Sequence, residues 1–194
     1  MERSDLLDTL AGELGKRRQP GRPLRVAIDG RCASGKTTLA DELAAVLHAG
    51  GFEVLRRRVD DYHHPRDHRY RQGEFSARGY FEDAFDHAAI IRSVAAAAVP
   101  NAILLFEGIF LFRRELDACW DYRILVDVNP ATSIARSVKR DTGVLGPRDL
   151  ILRKCSQRYE PAWLLYEDRD NPGGKADAIV DNRNILCPSL RIPG

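Results

Sequence analysis

Lysine is scarce in this chain of 194 residues: 25 of its 30 basic residues are arginine and five are lysine. Arginine suits bidentate phosphate contacts, though GC-rich coding gives the same bias. Cysteine is also sparse. Cys32, Cys119, Cys155 and Cys187 stand far apart with no C-x-x-C pair. That spacing excludes a small disulfide scaffold and the usual zinc knuckles, and reduced thiols are expected. No apolar run approaches the roughly 18 residues that cross a bilayer. The stretch before Leu24 lacks the long apolar core and cleavage site of a secretory signal. A cytoplasmic protein without membrane contact is therefore expected. An excess of one charge is missing too. The 30 basic residues face 28 acidic ones, a net charge of +2. Bulk electrostatics then give no reason to expect nucleic-acid binding, and no concentrated basic-aromatic sheet face supports it. There is no internal repeat.

What is present is enough for a core. The chain is 44% hydrophobic and 30% charged, as expected for one folded domain with a small appendage. Residues 4–18 read as an amphipathic helix with Leu6, Leu7, Leu10 and Leu14 on one stripe, followed by a Gly/Pro linker. Strands are expected at 24–28, 52–59, 102–106, 124–128 and 178–180. Helices are expected at 37–48, 83–99, from Asn129-Pro130 to about Arg140, and from Pro147 to about Tyr166. Residues 60–82 read as a long loop, and such loops are usually functional or disordered. Continuous apolar strands alternating with helices imply a parallel sheet covered on both faces. The fold class expected is α/β, a five-stranded parallel sheet with helices on both faces and a small lid. The domain organisation expected is an N-terminal helix and linker at 1–23, a nucleotide-binding domain at 24–182 with a lid at about 136–148, and a tail at 183–194.

The strongest motif is Gly30-Arg-Cys-Ala-Ser-Gly-Lys-Thr37, a G-x-x-x-x-G-K-T sequence between a strand and a helix. Glycine lets backbone wrap closely on phosphate oxygens, and the N–H groups and dipole of a helix start favour an anion. Gly30, Ala33, Ser34, Gly35, Lys36, Thr37 and Thr38 are thus the candidate triphosphate contacts, with Lys36 on the β/γ-phosphates and Thr37 offering its hydroxyl to Mg²⁺. ATP or GTP with Mg²⁺ is the ligand this motif implies.

Acidic residues at strand ends add chemistry. Asp60 and Asp61 follow the second strand, where parallel sheets place their ligands, and an acid there can take the proton of an attacking hydroxyl. A solvated Asp-Asp turn is the alternative. Glu107 ends a buried strand, where a carboxylate needs compensation. Mg²⁺ would supply it, as would a salt bridge. Asp29 reads as support for the glycine loop. Arg136, Lys139 and Arg140 share one helix face, either solvated or closing over a triphosphate, with Arg140 the first choice. His63, His64 and His68 lack a standard metal-ligand spacing and read as loop histidines.

These residues carry a resemblance. VAIDGRCASGKTTLADELA, VDDYHHPRDHRYRQGEFSARGYFEDAFD, LLFEGIFLFRRELDACWDYRILVDVNP, SVKRD, RYEPAWLLY and ADAIVDN occur in order across about residues 24–182. The chain resembles the uridine kinase family, within the P-loop kinases that include phosphoribulokinase and bacterial pantothenate kinase. The resemblance implies ATP-dependent phosphorylation of a small-molecule hydroxyl, such as the 5′-hydroxyl of uridine or cytidine, and allows a homo-oligomer. It implies Asp60 as the base, Tyr62 and His63 as its aromatic neighbours, and Tyr80, Phe81 and Asp83 as the substrate-side segment. Arg140 falls on the lid arginine, with Arg136 beside it on the donor, and Glu107 on the Mg²⁺-side glutamate. The chain departs from the family at Ser137, where uridine-phosphorylating members carry an arginine that helps hold the ribose. The segment that reads the base in those members has no counterpart after Phe110.

Overall fold

The apolar runs of the sequence become the strands of one sheet, and what separates them becomes helices on its two faces. A computed structural model describes residues 1–193, so Gly194, the end of the expected tail, lies outside the described residues. In chain order the elements are α1 (Arg3–Arg17), β1 (Leu24–Asp29), α2 (Lys36–Ala49), β2 (Val54–Arg58), α3 (Arg66–Arg69), α4 (Ala77–Asp83), α5 (His87–Ala96) and β3 (Ile103–Gly108). They continue with β4 (Tyr122–Asp127), α6 (Pro130–Asp141), α7 (Arg148–Lys154), α8 (Glu160–Asp170), α9 (Pro172–Lys175), β5 (Ala178–Asp181) and β6 (Ser189–Arg191).

The sheet has six strands in the order β2-β3-β1-β4-β5-β6. β1 to β5 are parallel, and β6 runs antiparallel to β5. The expected count of five is corrected by β6, which forms from the tail. Its three residues are too few to show a period, and its pairing is made by the backbone. β2, with Arg56, Arg57 and Arg58, is an edge strand. That place admits polar side chains a central strand could not bury.

Side chains alternate across the sheet. Val26, Ile28, Leu105, Ile124 and Val126 pack with α1 and α2 on one face, while Ala27, Leu104, Phe106 and Leu125 pack with α5, α8 and residues 109–120 on the other. Leu6, Leu10 and Leu14 of α1 are fully buried in the first of these layers. A Leu10→Ala substitution is therefore expected to cost about 2–5 kcal/mol. Urea denaturation checks this, and a shift under 1 kcal/mol, roughly the scale of surface substitutions, would place α1 outside the cooperative fold.

Three helical expectations change. Residues 60–82 are more than a loop: they hold a 3₁₀ turn at Val59–Tyr62 and the short helices α3 and α4. Four to seven residues show no repeated apolar stripe from which a helix could be read. The helix expected over 83–99 begins at His87, because the Asp86 carboxylate accepts the Ala89 N–H at 2.8 Å and caps it. The helix expected over 147–166 is interrupted by a π-helical turn at Cys155–Tyr159 before α8 continues to Asp170. Asn129 caps α6 as expected, accepting from Thr132 N–H at 2.8 Å. Among the described residues no helix is long and apolar enough to cross a membrane.

Candidate active site

Strand register assembles the site. Arg58 of β2 and Ile28 of β1 both lie opposite Glu107 of β3, and Asp29 lies opposite Gly108. The carboxyl ends of three adjacent strands therefore reach the same edge, which is where the glycine loop leaves β1. A cleft of about 510 Å³ opens there. Its walls include Ala33, Lys36 and Thr37 of the loop, Asp60 and His63 after β2, Tyr80 of α4, Glu107 of β3 and Arg140 of α6.

The loop is pinned at several points. Asp29 is fully buried. One of its oxygens accepts the N–H of Gly30 at 2.6 Å and of Phe110 at 3.1 Å. The other accepts Leu111 N–H at 2.8 Å, Phe112 N–H at 3.2 Å and the Tyr166 hydroxyl at 2.6 Å. Burial pushes this carboxyl up to about 6, against the pull of the Tyr166 and Gly30 donors. Phe110, at φ 65°, is held in the left-handed region by this anchor. Gly30 has no room for a side chain: a Cβ would lie 2.3 Å from the Val126 carbonyl oxygen. Arg31 donates to Glu160 at 2.6 Å and to Glu167 at 3.2 Å, and Asn182 donates to the Ser34 carbonyl at 2.7 Å. Sequence reasoning missed Arg31 and Asn182 as supports, because their partners lie 129 to 148 residues away.

The loop fits a triphosphate. The first-turn N–H groups of α2 have no intrahelical partner, Gly35 at φ 99° turns the chain into that helix, and the buried Ser34 hydroxyl has no hydrogen-bond partner among the described residues. Lys36 Nζ rests on the Arg31 carbonyl at 2.8 Å. The Thr37 hydroxyl donates to Glu107 at 3.0 Å. A hydroxyl beside a buried carboxylate is an all-oxygen donor set that suits Mg²⁺. Arg58 lies across the two acids, 3.2 Å from Glu107 and 3.7 Å from Asp60.

The other sequence candidates separate. His63 packs on the Phe85 ring at 4.5 Å and its Nδ1 contacts the Asp60 carbonyl at 2.8 Å. Burial lowers its pKa against the pull of Asp60, and the charges of Arg69 and Arg158 push the same way. Tyr80 lies against Phe110 and Tyr159, with its hydroxyl 3.9 Å from the Cys32 sulfur. Burial pushes the Cys32 thiol up, which removes thiolate reactivity. Thr38, Asp61, Tyr62, Phe81, Asp83 and Arg136 stand outside the cleft wall. The Tyr62 ring stacks on Phe106 and its hydroxyl bonds Ser93. Phe81 is buried between Phe110 and Tyr166. Asp83 is buried against Arg71 and Gln72. Arg136 donates to the Asn182 and Arg183 carbonyls at 2.8 and 3.1 Å. Arg140 pairs with Asp141 at 2.6 Å within the cleft wall. Ser137 is buried in α6, away from the cleft wall. The histidines do not gather: the His64 and His68 rings are 4.2 Å apart, and His63 turns to Phe85. Sequence reasoning missed Arg58, Arg69, Lys154, Arg158 and Tyr159 as cleft residues. Arg158 and Tyr159 lie in the run RYEPAWLLY and Arg69 in the stretch after Val59, while Arg58 and Lys154 lie in none of the family-like stretches.

No family model matches the chain. It is 27% identical to uridine kinase-like protein 3 of Arabidopsis thaliana over 87% of its own length. It spans about two fifths of that curated relative, 41%. Among solved structures it is similar to a possible uridine kinase from Bacillus stearothermophilus, with a TM-score of 0.74, 24% identity, and coverage of 93% of this chain and 100% of that one. It is also similar to a candidate fructose transport system kinase from Silicibacter sp. TM1040, with a TM-score of 0.71, 24% identity, and coverage of 84% and 95%. The chain thus resembles the uridine kinase-like proteins in sequence and has the α/β fold of the P-loop kinases.

Proposed function

We propose that this protein is an ATP-dependent phosphotransferase acting on a hydroxyl of a small molecule. The observation that carries this reading is that Asp60 shares one cleft with Lys36, Thr37 and Glu107. A hydroxyl can there lie between an acid and the phosphate loop. The loop N–H groups and Lys36 hold the triphosphate. The acceptor oxygen attacks the γ-phosphorus, the bond from that phosphorus to the β–γ bridging oxygen breaks, and ADP leaves with the electron pair. The hydroxyl proton passes to the Asp60 carboxylate. Arg140 is placed to offset charge that builds on the transferring group. Thr37 and Glu107 would hold Mg²⁺, which neutralises phosphate charge when bound. Residues 136–148 act as the lid, since water beside the γ-phosphate would hydrolyse it without an acceptor.

The relative's name suggests a nucleoside acceptor, the 5′-hydroxyl of uridine or cytidine. A second reading, another metabolite alcohol such as pantothenate or a sugar phosphate, is favoured by Ser137. Buried in α6, it offers no guanidinium to a ribose. ADP release from MgATP with nucleosides, pantothenate and sugar phosphates as acceptors tests the proposal. Acceptor-dependent release by any of them is the expected result. Tight ATP binding with no acceptor effect across the panel would instead mark a nucleotide-binding regulator.

A further inference from the structure

The cations of the cleft are not all accounted for by phosphoryl transfer. Arg58 faces Asp60 and Glu107, Arg140 pairs with Asp141, and Lys154 pairs with Glu74. Lys36 belongs to the phosphate loop. Arg69 and Arg158 remain, and among the described residues neither has a carboxylate within ion-pair distance. Arg158 is only 3% exposed. Two other arginines are buried, Arg113 as deeply and Arg31 less so, and both are neutralised: Arg31 by Glu160 and Glu167, Arg113 by Glu115. A guanidinium taken out of water without a counter-charge is costly. The Glu74 and Ser76 carbonyls, at 3.1 and 3.2 Å, and the Tyr70 and Tyr80 rings, each 4.8 Å away, hold Arg158 in place without cancelling its charge. Arg69 is half-buried, and its Nε is buried with no hydrogen-bond partner among the described residues. Both side chains line the cleft together with Asp60, His63 and Tyr80.

We propose that Arg158 and Arg69 form an oxyanion subsite for the acceptor, so that the acceptor is an alcohol carrying its own phosphate or carboxylate rather than a neutral nucleoside. This rests on the phosphotransferase reading above and names its substrate class. The anion supplies the counter-charge that the protein withholds, and its attachment fixes the hydroxyl near Asp60. The π-helical turn places Arg158 and Tyr159, adjacent in sequence, both in the cleft wall.

Matched acceptors that differ only in the anion test it: uridine against uridine 3′-monophosphate, ribose against ribose 5-phosphate, and glycerol against glycerol 3-phosphate and glycerate. ADP release gives kcat and KM for each, and calorimetry gives binding of the same anions to the MgADP-saturated protein. At least one anionic member is expected to exceed its neutral partner in kcat/KM by about ten-fold or more, the scale of a charge-assisted hydrogen bond. The phosphate and carboxylate arms then identify the anion. Arg158→Gln and Arg69→Gln are each expected to raise KM for the anionic member alone, with kcat and KM for MgATP little changed. Arg69→Gln keeps the test open should Arg158→Gln fail to fold. Equal or better use of the neutral partners, or equal loss on both members of a pair, would overturn the proposal and leave Arg158 a structural strap. A rise in KM for MgATP instead would assign the arginines to the donor. Anion binding abolished by these substitutions, in a protein without turnover, would keep the subsite and remove the phosphotransferase reading.

Discussion

Asp60→Asn is expected to lower kcat by about 10²–10⁴-fold while leaving MgATP affinity and thermal stability nearly unchanged. The stability half of this expectation follows from exposure. Asp60 keeps 59% of its side chain accessible, and its one ion pair, to Arg58 at 3.7 Å, is long. Exposed pairs of this kind contribute about 0–1 kcal/mol. A fall in turnover therefore cannot come from unfolding. The amide of asparagine keeps the shape of the side chain and cannot take the proton of an attacking hydroxyl. Asp61, adjacent and exposed but outside the cleft wall, is the control, and Asp61→Asn is expected to stay near wild type. Initial-rate measurements with saturating MgATP decide it. Turnover in Asp60→Asn above a tenth of wild type would remove Asp60 as the base and make it a solvated turn residue.

The largest loss of stability is expected at Asp29. Asp29→Ala leaves the Gly30, Phe110 and Leu111 N–H groups and the Tyr166 hydroxyl without their acceptor in a buried place, while the Phe112 N–H keeps the Tyr166 oxygen at 2.8 Å. A single orphaned buried group costs about 1–3 kcal/mol, so a loss of at least about 3 kcal/mol is expected, with nucleotide binding weakened because Gly30 is released. The pH dependence has a definite sign. Burial raises the carboxyl of the folded chain to about 6, above its ordinary value of 3.8. Between those values the folded chain holds a proton that the unfolded chain has lost. The contribution of this proton is full below the unfolded value and fades as pH rises through about 6. The gap in unfolding free energy between wild type and Asp29→Ala should therefore be wider at pH 5 than at pH 7. Denaturation at both pH values measures it, since the other acids titrate alike in the two proteins. A gap that narrows on acidification would show the carboxylate form to be the one the five donors favour.

The sequence by itself determined the phosphate loop and the parallel core. Both are local: Gly30 to Thr37 is one continuous stretch whose proposed phosphate binding rests on its own backbone, and apolar runs such as Ile103–Phe106 need no partner to be read as buried strands. The placement of Asp60 after β2 and of Glu107 near the carboxyl end of β3 was legible for the same reason, since parallel strands end on one side. Tertiary structure alone decided the rest. It placed Tyr62, Phe81 and Asp83 outside the cleft wall, because the faces of short helices and 3₁₀ turns follow from packing and not from a period. It put Arg136 on the Asn182 and Arg183 carbonyls and Arg140, four residues on, in the cleft wall. It brought Arg31 to Glu160, Asn182 to Ser34, and Arg158 to Tyr80, across separations of 78 to 148 residues. An arginine in a sequence reads as a solvated charge. Only folding shows whether a carboxylate meets it, and for Arg158 none does among the described residues.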